Sequence, residues 1–157
     1  VMTKAAEMTL GYESELKAKD VRDMADVAYP IADIGASISS GSFRTMGMVI
    51  IPCSIRTMSE IATGVTSTLI SRAADVVLKE RRRLVLAVRE TPLHSGHLRT
   101  MLQLSDMGAI ISPLMPAFYN KPQSVEDIID HSVGRIVDLF GLDAGIVKRW
   151  KGDGDKP

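Results

Sequence analysis

RRRLVLAVRETP, residues 81–92, is the stretch that decides the fold. Leu84 to Val88 is short, aliphatic and apolar at every position, as a strand covered on both faces has to be. Arg89 and Glu90 follow at once, with no turn residue between. A buried strand that ends in an adjacent cation and anion is either an ordinary exit to solvent or the edge of a site. Working outward, residues 48–52 (MVIIP) and 109–112 (AIIS) repeat the apolar pattern. Amphipathic segments that read as helices lie around these runs, at 3–10, 21–25, 57–62, 67–82, 95–107, 125–140 and 145–150. Alternation of short apolar runs with helices predicts an α/β fold built on an open parallel sheet.

The composition suits one domain spanning residues 1–157, with 45% hydrophobic and 24% charged residues. Nineteen basic and nineteen acidic residues cancel, so wholesale binding to nucleic acid or an anionic membrane is not expected. Cys53 is the single cysteine, which excludes an intrachain disulfide. No apolar run reaches the roughly 18 residues of a membrane helix, and a cytoplasmic location is expected. The loop at 37–42 (SISSGS) is small and polar, and the sequence has no internal repeat.

In an open parallel sheet, ligands bind outside the carboxyl ends of the strands. Here those ends carry Cys53-Ser54-Ile55-Arg56-Thr57, Arg89-Glu90-Thr91 and the segment running to Pro116-Ala117-Phe118-Tyr119. Ser54 and Thr57 ahead of a helix either cap it or, with its free N–H groups, form an anion site. On the long helix Arg72 and Lys79 lie about 20° apart, with Asp75 between them and Ala74, Val77 and Leu78 opposite. That pattern is a solvated ion-pair stripe or a phosphate clamp. His94 and His97 have one-turn spacing but no third ligand nearby, so no metal site is expected. Residues 126–130 (EDIID) form an acidic group resembling a magnesium–diphosphate cluster; the simpler reading is Ser124 capping the helix with Asp127 reaching back. Cys53 is expected to be a small packed residue and not a nucleophile.

Taken together, Ser39-Ser40-Gly41-Ser42, MVIIPCS at 48–54, RAADVVLKERR at 72–82, VRETPL at 88–93 and Pro116-Ala117-Phe118-Tyr119 closely resemble the UbiX-type flavin prenyltransferases. The subgroup that takes its name from phenylacrylic and phenolic acid decarboxylases is the nearest in appearance. The resemblance implies a Rossmann-like, flavodoxin-like three-layer fold. It also implies transfer of a dimethylallyl group from dimethylallyl phosphate to N5 and C6 of reduced FMN. The prenylated FMN so made would serve a separate UbiD-type aromatic acid decarboxylase, and the enzyme would be a homo-oligomer. Carried over by position, Thr3, Ser54, Ile55, Arg56, Thr57 and Arg89 are expected to bind FMN. Glu13 and Glu90 match active-site carboxylates, while Arg72, Lys79, Tyr119 and Arg135 match positions around the prenyl phosphate. Trp150 matches an aromatic that helps close the site.

The chemistry of the residues agrees with that assignment. Breaking an allylic C–O bond requires charge on the departing phosphate to be stabilised, which Lys79, Arg72 and Arg135 can do without a metal. Glu90 suits a proton-moving role if burial raises its pKa, so Arg89 and Glu90 are both expected to face flavin and substrate. Family members begin with a strand and a Gly-rich turn that this chain starts beyond; about 30 residues would restore that first βα unit. On this reading Val1 and Met2 end a second strand. Other readings are an FMN-dependent cysteine decarboxylase, which has no prenyl phosphate to hold, a non-catalytic flavin carrier, and direct decarboxylation of phenolic acids.

Overall fold

The computed structural model describes residues 1–147 and 149. Its centre is a three-stranded parallel sheet in the order β1 (Gly47–Cys53), β2 (Arg83–Val88), β3 (Ile110–Ile111). Ile50 pairs with Leu86, and Leu86 in turn with Ile111, so the apolar run at 84–88 is the middle strand. Leu84, Val85, Leu86 and Ala87 are completely buried and Val88 nearly so. Burial of each large aliphatic side chain in such a strand contributes about 1.5–3 kcal/mol. Leu84, Leu86 and Val88 alternate along one face and pack with Met58, Ala74, Val77 and Leu104.

Six helices accompany the sheet among the described residues: α1 (Lys4–Glu13), α2 (Ala18–Asp23), α3 (Ile55–Ala62), α4 (Leu69–Lys79), α5 (Ser95–Asp106) and α6 (Val125–Asp138). Their starts are set locally. Ser54 caps α3 by accepting the Thr57 N–H, Thr68 caps α4 by accepting the Ser71 N–H, and Ser124 caps α6. Asp127 reaches back to the N–H groups of Gln123 and Ser124, as expected from the spacing. These backbone bonds hold its carboxyl below the usual range. The apolar side of α4 is buried at Ala74, Val77 and Leu78, again as expected.

Five expectations change. The helix expected at 67–82 stops at Lys79, because Arg81 takes a left-handed conformation (φ 57°) that turns the chain into β2. The helix expected at 21–25 starts at Ala18, where the Asp20 carboxylate accepts the Lys17 N–H. Residues 145–147 and 149 are not helical; Gly134 on α6 lets Ile146 and Val147 lie where a Cβ would stand. Nor is β1 covered on both faces: Val49 and Ile51 are 39% and 44% exposed. Among the described residues the strand pairs with β2 alone, which puts it at the edge of this sheet, and a cavity opens beside it. Val1 and Met2 belong to no strand; they lead into Thr3, which caps α1 through the Ala6 N–H at 2.9 Å.

Candidate functional site

The cavity beside β1 and α1 has a volume of about 760 Å³, within the usual range for a small-molecule or cofactor site. Leu10, Phe43, Met48, Ile50 and Val76 give it apolar walls. Thr3, Glu13, Ser54, Thr57 and Arg89 are among its polar lining, so five of the residues singled out in the sequence line one space.

Local chain geometry explains that convergence. The Arg89 N–H donates to the Cys53 carbonyl at 3.2 Å, which ties the end of β2 to the end of β1. Ser54 then starts α3, whose first N–H groups, those of Ile55 and Arg56, precede the first intrahelical bond from Met58 N–H to Ser54 carbonyl. Helix start and guanidinium offer positive charge and donors together, the combination that suits a phosphate monoester. The apolar walls suit a flat ring system. These residues therefore fit FMN. The Ser54 side chain is a helix cap, so the capping reading holds for it, while Thr57 sits inside the first turn and not ahead of it. Arg56 points its Nε to Glu60 at 2.9 Å from an exposed position.

The remaining residues lie elsewhere on the chain. Arg72 ion-pairs with Asp75 at 3.0 Å and donates through Nε to the Ser39 carbonyl at 3.2 Å. Lys79 pairs with its neighbour Glu80, not with Asp75, and holds that carboxyl below its ordinary range. A Cβ on Gly41 would stand 2.8 Å from Lys79 Nζ, so the 37–42 loop lies directly against this end of α4. Arg82, one of three consecutive arginines and not a candidate from the sequence, fixes the loop through the Gly41 and Phe43 carbonyls at 2.6 and 2.7 Å. It also lines the main cavity. Nothing in local spacing signals a contact across so long a separation.

Tyr119 and Arg135 form a third group. The Tyr119 hydroxyl is 3.0 Å from His131 Nε2. Arg135 and Arg149 both bind Asp138, at 2.8 Å each, and the two guanidinium groups hold its carboxyl below the ordinary value. Sequence reasoning misses His131; the available signal is a polar residue on the apolar side of α6, in line with Gly134. Trp150 lies outside the described residues.

Within this chain Glu90 does not share the cavity wall with Arg89. Glu90 is exposed, does not line the cavity, and its carboxylate accepts the adjacent Thr91 N–H at 3.0 Å. Successive side chains of an extended segment point to opposite sides, so Arg89 facing the cavity turns Glu90 away from it. Cys53 is fully buried, and burial pushes its thiol up to about 12, which fits a packing role. His94 caps α5: its Nδ1 accepts the N–H groups of Gly96 and His97, and its ring stacks on His97 with centroids 3.6 Å apart. Among the described residues no three His, Cys, Asp or Glu side chains converge as a metal site would require.

Comparison with known proteins places this geometry. Residues 1–137 match the Flavoprotein family. Flavin prenyltransferase UbiX of Escherichia coli K12 is 54% identical over 154 residues, covering 97% of this chain and 82% of the relative. A crystal structure of AnUbiX (PadA1) in complex with FMN and dimethylallyl pyrophosphate superposes with a TM-score of 0.94 at 54% identity, covering 96% of this chain and 80% of the other. A dodecameric FMN-dependent UbiX-like decarboxylase from Escherichia coli O157:H7 superposes with a TM-score of 0.93 at 51% identity, over 96% of this chain and 82% of the other. With identity at this level over nearly its whole length, this chain belongs to the Flavoprotein family and, within it, to the UbiX flavin prenyltransferases.

Proposed function

We propose that the protein transfers the dimethylallyl group of dimethylallyl phosphate to N5 and C6 of reduced FMN, and that the prenylated flavin passes to a separate UbiD-type decarboxylase. The observation that carries the reading is the lined cavity at the strand ends, with Arg89 and the start of α3 at its polar rim, in a chain so similar to a relative named flavin prenyltransferase. Bound there, reduced FMN supplies the nucleophilic ring atoms. Thr3, Ser54, Ile55, Arg56, Thr57 and Arg89 bind and orient it, and the apolar walls keep water from the ring. Arg72, Lys79, Tyr119 and Arg135 hold the prenyl phosphate and stabilise the charge that grows as its C–O bond breaks. Glu13 and Glu90 move protons, and Trp150 closes the site.

Arg72, Lys79, Glu90, Tyr119 and Arg135 are not part of the cavity wall of one chain. The reading therefore includes a homo-oligomer in which neighbouring copies bring these groups to the flavin. Large apolar side chains stand on the surface, among them Tyr12, Met24 and Met115, 83%, 73% and 73% exposed, and one solved relative is described as dodecameric. No described helix is long and apolar enough to cross a membrane; we place the enzyme in the cytoplasm, acting on small molecules and not on nucleic acid or lipid surfaces. Incubation with FMN, a reductant and dimethylallyl phosphate, followed by mass spectrometry of the flavin, tests the reading. The expected product is heavier than FMN by one isoprene unit. An unchanged flavin from folded, FMN-bound protein would refute it.

A further inference from the structure

We infer that His131 is the positioning residue for Tyr119, holding the phenol oxygen so that its hydrogen is free to bind the prenyl phosphate. The inference rests on the proposed role of Tyr119 as a phosphate ligand. His131 stands on α6 at 6% exposure, next to Gly134 and Ile136 on the buried side of the helix. A polar ring there costs stability unless it is hydrogen-bonded. Among the described residues its hydrogen-bond partner is the Tyr119 hydroxyl, 3.0 Å from Nε2. The two rings meet edge to face, with centroids 5.6 Å apart and planes at 84°.

The dependence runs mainly toward the tyrosine. Tyr119 is 63% exposed, in a turn that follows β3, so little packing fixes its side chain. Its hydroxyl makes a single hydrogen bond among the described residues, the one to His131. That bond has a direction set by the other ring nitrogen. His131 Nδ1 is buried without a partner among the described residues. A buried N–H with no acceptor is rarer than a buried acceptor with no donor, which favours the tautomer with its hydrogen on Nε2. Nε2–H then donates to the phenol oxygen, and the phenol hydrogen remains available. Phosphate oxygens only accept hydrogen bonds, so a tyrosine that serves them has to be in this donor state. The reverse tautomer would use up the phenol hydrogen on the histidine.

Steady-state kinetics with dimethylallyl phosphate at saturating reduced FMN test this, using wild type, Tyr119→Phe, His131→Phe, His131→Gln and the Tyr119→Phe/His131→Phe double variant. Loss of one orienting hydrogen bond should raise KM about five- to tenfold in His131→Phe with kcat nearly unchanged. His131→Gln keeps an N–H near the same place and should recover most of the loss. The double variant should be no worse than Tyr119→Phe alone, because His131 acts through that hydroxyl. If Tyr119→Phe raises KM but His131→Phe does not, the inference fails and the phosphate role of Tyr119 stands. If Tyr119→Phe leaves KM unchanged, the phosphate role itself fails, and the inference with it. Fully additive effects in the double variant would show that His131 acts independently of Tyr119, which also overturns the inference. Should His131→Phe not fold, His131→Asn, whose amide is too short to reach, replaces it; equal KM values for the Asn and Gln variants would overturn the inference.

Discussion

The Arg89 N–H donates to the Cys53 carbonyl at 3.2 Å, joining the end of the central strand to the end of the edge strand. One backbone bond thus fixes where Ser54 can begin α3 and where the Arg89 side chain enters the cavity. The positions on which flavin binding depends are set by the sheet and not by a free loop, so substitutions on this rim should alter binding without unfolding the chain.

Arg89→Ala should weaken FMN binding by roughly 10- to 100-fold, the range for one charge-assisted phosphate contact of about 1.5–3 kcal/mol. Wild type should bind riboflavin far more weakly than FMN, since riboflavin has no phosphate for the start of α3. Quenching of flavin fluorescence during titration measures both. Equal affinity for FMN and riboflavin would rule out the phosphate site.

Glu90→Gln should leave FMN affinity unchanged, because Glu90 is outside the cavity wall of its own chain, while slowing formation of prenylated FMN by about 10²-fold or more, as loss of a general acid or base does. Single-turnover flavin spectra follow the rate. Normal turnover would remove Glu90 from the reaction.

Arg135→Ala and Tyr119→Phe should each weaken dimethylallyl phosphate binding by about 1–3 kcal/mol and spare FMN. Lys79→Ala should damage turnover more than binding, because charge on the phosphate grows in the transition state. Isothermal titration with the two ligands separates these outcomes; equal loss of both ligands would count against a dedicated clamp.

Gly41→Ala should disturb Lys79 and Glu80, whose flexible ends occupy the space a Cβ would take. Both can swing aside, so the melting temperature should fall little while turnover falls in the same sense as in Lys79→Ala. Wild-type turnover in this variant would show that the loop does not set the position of the lysine.

Cys53 gives a pH prediction. Burial raises its folded-state pKa to about 12, above the ordinary thiol value, so the folded state retains a proton that the unfolded chain gives up. Its contribution is fully present at neutral pH and is lost as pH rises from about 9 toward 12. Denaturant unfolding at several pH values should show Cys53→Ala losing less stability than wild type across that interval. Native protein should also resist thiol reagents at pH near 8, and ready labelling there would contradict the burial.

What the sequence determined by itself is what neighbouring residues can settle. The strand at 84–88 is buried throughout because five consecutive apolar side chains need cover on both faces. The Ser124–Asp127 bonds and the Arg72–Asp75 pair span three residues each, a spacing that helix geometry fixes. Resemblance to a family added the roles of the site residues. Only the tertiary structure decided the relationships between distant segments. The same apolar pattern in β1 and β2 gives an exposed edge in one and a buried centre in the other, since pairing order is not a local property. Arg89 and Glu90 are adjacent in sequence, yet only Arg89 lines the cavity. Arg82 binds a carbonyl 41 residues away, and Tyr119 meets His131 across a turn and the start of α6. These contacts depend on the path the chain takes after each element ends, and that path is set by which apolar surfaces bury one another, not by the spacing of residues along one helix or strand.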